Sequence, residues 1–207
     1  MNMHIINPPS SMFFRMNRIL RSCNAGLHWI VIFTILILSS GCLRSLHPWY
    51  TVNDLSENPA LIGTWENESK SEEWTFTKSQ DGYRLSLVMN GEAANFDLHH
   101  FSIGKNRFLD ITASSPETKN DFYKFHLFPV HTIAKLTLDQ DEMEISLLDM
   151  NWFDEMLKRK KLTVKFERIE KQVILTAPTA ELQKLVRRFA NDSDAFPKSQ
   201  SVLTRKK

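Results

Sequence analysis

The sequence predicts a mainly β domain whose strands form an antiparallel meander, closed into a barrel or bent into a strongly curved sheet. Short runs of alternating apolar and polar residues recur from residue 60 onwards and are separated by turn signals. Two of these signals, Asp81-Gly82 and Asn90-Gly91, favour hairpin turns because both pairs tolerate positive φ angles. About nine or ten short strands joined mainly by tight turns are typical of such folds.

The strand-like runs follow one another closely along the chain. They cover residues 61–67, 72–79, 83–90, 92–103, 107–113, 122–128, 130–138, 142–148, 162–170 and 172–177. Pro129 separates the sixth run from the seventh and favours a bend or an edge position, since proline cannot donate a ladder hydrogen bond.

Two short helices are predicted within this meander. The first begins at Asp149 or Asn151 and ends in the basic run 158–161, which complements the helix dipole. The second follows Pro178 and lies near the C-terminus. Its apolar residues recur at the spacing of one helical face: Leu182, Leu185, Val186 and Phe189.

The flanking segments have a different composition. Residues 42–59 have no sustained period and are predicted to be a tether before a β-rich domain at 60–190. Residues 191–207 are polar and are predicted to be a flexible tail.

The N-terminal region has the order of a secretory signal. Three arginines precede the apolar run 27–38, and Ser39, Ser40 and Gly41 lead directly to Cys42. The run is too short for a bilayer core, which needs about 20 apolar residues. An uncleaved anchor and ordinary cleavage are the alternatives, and either Met1 or Met16 could begin the signal.

The four residues 39–42 resemble the lipobox of bacterial lipoproteins. The resemblance implies that residues 1–41 are removed and that Cys42 carries a diacylglycerol, which anchors the protein to a membrane. Leu43 rather than aspartate follows the cysteine. By the same resemblance, this favours the outer membrane, facing the periplasm, over the inner membrane.

Charge and cysteine content restrict the mature domain. Without residues 1–41 the chain keeps 23 basic and 24 acidic residues, because only three arginines are lost. This near-neutral balance argues against a nucleic-acid partner. Cys23 lies in the leader and Cys42 would carry lipid, so no pair remains for an intramolecular disulfide.

Gly63-Thr64-Trp65 is similar to the Gly-x-Trp motif on the first barrel strand of the lipocalins. The resemblance implies that Trp65 closes the barrel floor and that the barrel forms a cup for a lipid or other apolar small molecule. Arg168 is a loose counterpart of the family's later arginine, and the helix at 151–160 departs from the family's order. Trp65 as an ordinary core residue is the alternative. The predicted cup lining is Phe96, Leu98, Phe108, Phe125 and Leu127.

Non-catalytic binding is therefore the predicted function, with an envelope protein as the alternative to an apolar ligand. A hydrolase-like enzyme using His126, His131 and either Asp97 or Asp110 is the competing interpretation. The sequence has no nucleophile elbow, phosphate loop or HExxH motif, so no catalytic residue, metal site or cofactor is assigned.

Overall fold

The computed structural model describes residues 42–170, 172–198 and 202–207, which contain eleven strands and three helices. The strands are β1 (Arg44–Ser45), β2 (Gly63–Asn67), β3 (Glu72–Lys78), β4 (Tyr83–Met89), β5 (Glu92–Ile103), β6 (Asn106–Ala113), β7 (His131–Asp139), β8 (Glu142–Leu147), β9 (Phe166–Ile169), β10 (Gln172–Leu175) and β11 (Leu203–Arg205). The helices are α1 (Asp121–Phe125), α2 (Met150–Lys158) and α3 (Thr179–Phe189).

Eight strands close into an antiparallel barrel. Their order is β6-β5-β4-β3-β2-β11-β8-β7, and pairing of β6 with β7 closes the ring. β11 lies between β2 and β8 and is antiparallel to both. The predicted lipocalin-like antiparallel barrel is confirmed, as are the helix that follows β8 and the helix near the C-terminus.

Three strands extend the sheet beyond the barrel. β1 pairs with the first two residues of β7, antiparallel, and with β10, parallel. β9 then pairs with β10 as an antiparallel hairpin. The segment that follows β1 runs along the outside of the barrel and reaches β5, where Leu55 pairs with Phe101.

Alternation along the strands divides the apolar side chains between two cores. One core fills the barrel and includes Leu61, Trp65, Phe76, Tyr83, Leu85, Leu98, Leu109, Leu136 and Met143. The other lies between the outer face of β5 to β7 and the helices, and it includes Leu43, Trp49, Phe101, Phe108, Phe153, Leu182 and Val186. Residues 41–207 form one compact unit that contains both cores.

The run 122–128 is not the predicted strand. It contains helix α1, so the described chain has three helices rather than two. Asn120 begins this helix because its side-chain oxygen accepts a hydrogen bond from the Tyr123 amide, at 2.9 Å. The aromatic residues that suggested a strand are exposed instead of facing a sheet neighbour.

The predictions for both flanking segments are wrong. Leu43 and Trp49 are fully buried in the outer core, so residues 42–59 pack against the domain through these side chains and do not form a tether. In the predicted tail, Ala195 and Phe196 are buried and residues 203–205 form a barrel strand. The predicted signal at 1–41 lies outside the described residues.

Candidate functional site

One end of the barrel is closed by a short 3₁₀ turn, Pro59–Leu61, that precedes β2. Leu61 is fully buried inside the barrel, and its carbonyl accepts a hydrogen bond from Trp65 Nε1 at 2.9 Å. The Tyr83 hydroxyl accepts a hydrogen bond from the Asn58 amide at 2.7 Å. These contacts fix the chain across the barrel end before β2 begins.

Arg205 of β11 lies over the Trp65 ring, with the guanidinium carbon 4.1 Å from the ring centroid. Its Nη1 donates to the Ile62 carbonyl at 2.9 Å and its Nη2 to the Ala60 carbonyl at 2.7 Å. The arginine therefore joins the last barrel strand to the turn that closes this end. Trp65 itself is fully buried, as expected of a residue at the barrel floor.

Gly63 is required by the same arrangement. Its φ is +130°, which side-chain-bearing residues rarely adopt. A Cβ atom added there would lie 2.8 Å from Arg205 Nη1. The glycine of the Gly-x-Trp sequence thus leaves space for the arginine that covers the tryptophan.

Arg168 does not have the role that the resemblance suggested. It lies on β9, outside the barrel, and forms an ion pair with Asp154 of α2. Arg205 is the arginine that contacts Trp65. The sequence signal for β11 is only three residues long and lies within a polar segment, which is why the tail prediction missed it.

The opposite end of the barrel, called the open end below, has inward-facing side chains that are more exposed to solvent. This end carries the β2–β3 and β4–β5 turns and the connection from β6 to β7. Inward-facing apolar side chains near the closed end are buried, apart from the partly buried Leu138 beside the β7–β8 turn, but towards this end several are only partly buried. The partly buried set is Trp74, Leu87, Phe96, Ile111 and Leu147. These side chains form an apolar mouth, which is the common position of a ligand site in small barrels.

The structure separates the five residues predicted to line the cup. Phe96 and Leu98 do face the barrel interior, with Leu98 only 1% exposed. Phe108 is fully buried, but it packs in the outer core with Phe101. Phe125 and Leu127 are exposed in the connection between β6 and β7. The last three therefore do not line the barrel interior: Phe108 is on the outward-facing side of β6, and Phe125 and Leu127 lie in a run that is not the assumed strand.

A buried polar cluster lies on the outer face of the barrel. Asp110 is fully buried; its Oδ1 contacts His131 Nδ1 at 2.7 Å, and its Oδ2 accepts a hydrogen bond from the Trp49 amide at 2.8 Å. This aspartate therefore attaches the segment after β1 to strands β6 and β7. Nearby, Tyr50 stacks on His99 with ring centroids 4.6 Å apart.

His126 does not join this cluster. It is exposed, and its Nδ1 contacts the Phe122 carbonyl of its own helix at 2.7 Å. Asp97 lies on β5, where it forms an ion pair with Arg84. The structure thus brings together only His131 and Asp110 from the predicted hydrolase set. In the described residues, no hydroxyl or thiol is hydrogen-bonded to His131.

Two neighbouring histidines are partly removed from water. Burial lowers the pKa of His99 and the pKa of His100 below the ordinary value of 6.5. His100 is 4% exposed, and its Nδ1 lies 2.9 Å from the Ser56 carbonyl oxygen. Its Nε2 is buried without a partner among the described residues. In this part of the chain, no group of three histidine, cysteine or acidic residues is placed to hold a metal ion.

Comparisons with protein families, with curated proteins and with solved structures find no match to this chain. Among the described residues, no helix is long and apolar enough to cross a membrane.

Proposed function

We propose that this chain is a bacterial lipoprotein that is anchored in the outer membrane through Cys42, faces the periplasm, and binds a lipid or other apolar small molecule at the mouth of its barrel. The observation that carries the binding role is the change in burial along the barrel interior. Apart from Leu138, the interior apolar side chains are buried at the end that Trp65 and Arg205 close, and they are partly exposed at the end that Trp74, Leu87 and Phe96 line.

The lining of the mouth supports an apolar ligand. Trp74, Leu87, Phe96, Ile111 and Leu147 present rings and aliphatic groups without an ionisable side chain among them. Burying such partly exposed surface against an acyl chain or a ring is favourable by about 25 cal/mol per Å² of apolar area. A charged ligand head would remain at the rim, in contact with water.

The anchor is supported by the sequence before Cys42 and by the accessibility of the cysteine. Cys42 is exposed and has a free thiol in this structure, so a diacylglycerol on its sulfur has room on the surface. Leu43, the next residue, is already fully buried. The lipid would therefore hold the domain directly against the bilayer.

Lipid attachment is tested by mass spectrometry of the mature protein purified from bacterial membranes. We expect a chain that begins at Cys42 and carries the mass of a diacylglycerol. Cys42→Ala, which removes the sulfur, should accumulate with its leader attached. A mature chain without lipid would contradict the anchor.

Ligand binding is tested with a fluorescent dansyl fatty acid added to the purified protein. Leu87→Lys places a charge in the mouth and should weaken saturable binding at least about tenfold, the equivalent of 1.4 kcal/mol. The matched control is Val88→Lys, because Val88 is the next residue of β4, is also partly buried, and faces outwards. Equal weakening by both substitutions, or no saturable binding by the unaltered protein, would contradict a ligand site in the mouth.

A further inference from the structure

The connection between β6 and β7, residues 114–130, concentrates exposed aromatic side chains. Phe122, Phe125 and Phe128 are 75%, 84% and 70% exposed, and Tyr123 is 52% exposed. Every exposed phenylalanine, tyrosine or tryptophan of the described chain lies in this connection. Elsewhere in the described chain the exposed large apolar residues are aliphatic, apart from Met89. Clustered exposed apolar surface of this kind marks an interaction site.

The aromatic rings are held outwards by local structure. Asn120 caps α1 through the Tyr123 amide, and the His126 amide donates to the Tyr123 carbonyl at 3.1 Å. Among the aromatic rings of the described residues, those of Phe122 and Phe125 pair with the His126 ring, at centroid distances of 4.4 and 5.5 Å. The connection therefore presents its rings to the surroundings and does not pack them on the barrel.

Charge does not select the partner of this connection. Glu117 and Asp121 balance Lys119 and Lys124, so residues 114–130 have no net formal charge with His126 neutral. Attraction to a charged macromolecule would need an excess of one sign. Phenylalanine rings with a tyrosine and lysines at their margin are instead typical of segments that lie in the interface of a bilayer.

The position of Cys42 indicates which bilayer surface is close. Arg44 pairs with Thr132 and Ser45 with His131, and the connection ends at Val130. From the length of the intervening residues and one strand spacing, the Cα atoms of Cys42 and Val130 are at most about 20 Å apart. β1 runs from Cys42 towards the connection, so the C-terminal end of the connection lies within about 20 Å of the proposed lipid attachment.

We propose that the connection 114–130 is a membrane-contacting loop that inserts Phe122, Phe125 and Phe128 into the bilayer interface beside the anchor. This loop seats the mouth of the barrel against the lipid surface, where an apolar ligand can pass between bilayer and cup without crossing water. The position of the anchor rests on the proposed function, whereas the partition of the loop into lipid does not.

The test uses residues 42–207 with Cys42→Ser, a form that cannot carry the anchor and contains both cores. It is mixed with vesicles of phosphatidylethanolamine and phosphatidylglycerol and the bound fraction is measured by sedimentation. We expect binding that persists at high ionic strength, because the loop has no net charge. The triple substitution Phe122→Ser, Phe125→Ser and Phe128→Ser should reduce the partition coefficient at least about tenfold.

The matched control replaces three exposed aliphatic residues outside the loop: Val52→Ser, Ile62→Ser and Ile169→Ser. This control should bind vesicles like the parent form. Equal loss in the control, or no vesicle binding by the parent form, would overturn the proposal. Concentration-dependent dimerisation that the loop substitutions abolish, without vesicle binding, would also overturn it and assign the loop to a second copy of the chain.

A second measurement does not depend on the folding of the triple variant. In the Cys42→Ser form no other cysteine remains after residue 42, so Phe125→Cys can be labelled alone with an environment-sensitive fluorophore. We expect a blue shift with vesicles for the label at position 125 and none for a label at Val52→Cys. Equal shifts at the two positions would overturn the proposal. The proposed lipid anchor and the proposed ligand site are tested separately, by the mass of the mature protein and by fatty-acid binding.

Discussion

The Arg205 guanidinium covers the Trp65 ring at 4.1 Å and donates two hydrogen bonds to carbonyl groups of residues 60 and 62. Arg205 and Ile62 are 143 positions apart along the chain. This contact therefore links the segment that enters the barrel to the strand that completes it, and it should contribute measurably to stability.

Replacement of Arg205 by methionine keeps the aliphatic stem and removes the guanidinium. We expect a loss of about 2 kcal/mol in the free energy of unfolding, from the cation–π contact and two hydrogen bonds at a partly exposed site. Urea denaturation measures this loss. The control is Lys206→Met, since Lys206 is exposed and forms an ion pair with Glu73 on the surface. A loss of similar size in the control would show that Arg205 has no special role.

Gly63→Ala should destabilise the protein by more than about 2 kcal/mol, because it combines an unfavourable φ with a close approach to Arg205. Gly104→Ala is the matched control: its φ is +62°, and nothing lies within 4 Å of an added Cβ. The alanine methyl at position 63 would displace the guanidinium, so the effects of Gly63→Ala and Arg205→Met should not add in a double-mutant cycle. Full additivity would contradict the contact.

Asp110→Ala should lower the free energy of unfolding by about 3 kcal/mol, because it leaves the buried Trp49 amide and the His131 ring without their acceptor. The Trp49 amide should also exchange hydrogen faster, since the segment after β1 would be less firmly attached. Asp97→Ala provides the control, because Asp97 is partly exposed and pairs with Arg84 on the surface. Unchanged exchange at Trp49 would refute this role of Asp110.

Acidification should weaken the fold through His100. Burial lowers the pKa of this histidine in the folded state below its ordinary value of 6.5, although the bond to the Ser56 carbonyl acts in the opposite direction. The unfolded chain therefore binds the proton first as the pH falls. Stability is complete above about pH 6.5 and declines below it. A protonated Nε2 would also place a donor where the described residues supply no acceptor.

The check is the urea midpoint at about pH 7.5 and about pH 5, measured for the parent protein and for His100→Asn. The asparagine amide can still donate to the Ser56 carbonyl. We expect a smaller decline for His100→Asn and an unchanged decline for His47→Gln, which replaces an exposed histidine. An identical decline in all three proteins would exclude His100 as a source of the acid sensitivity.

The alternation of residues and the Asp81-Gly82 and Asn90-Gly91 turns were enough to predict the meander from β2 to β6 and the barrel class. Local signals also located the helix before residue 158, whose Asp149 cap accepts a hydrogen bond from the Trp152 amide at 2.7 Å. These features depend on neighbours in sequence. Interactions between neighbours in sequence leave a pattern in the sequence itself, so they can be predicted without knowledge of the fold.

The features that were missed depend on distant partners. Nothing near Leu43 or Trp49 in sequence reveals that both lie under the helices, and the three residues of β11 become a strand only through β2 and β8. The aromatic residues of 122–128 fit a strand or a short helix equally well by composition. Phe96 and Leu98 lie on a strand that local alternation predicts, and they face the barrel interior. Phe125 lies in a segment without such a signal, and it does not face the interior.

β11 follows the other seven barrel strands along the chain, and four elements outside the barrel, α2, β9, β10 and α3, come between β8 and β11. The strand that completes the barrel is therefore the last of the eight to be synthesised. Until Leu203–Arg205 are available, β2 and β8 have unpaired edges that could join another chain. The strand that brings Arg205 over Trp65 thus also covers the two strand edges that are open to edge-to-edge aggregation.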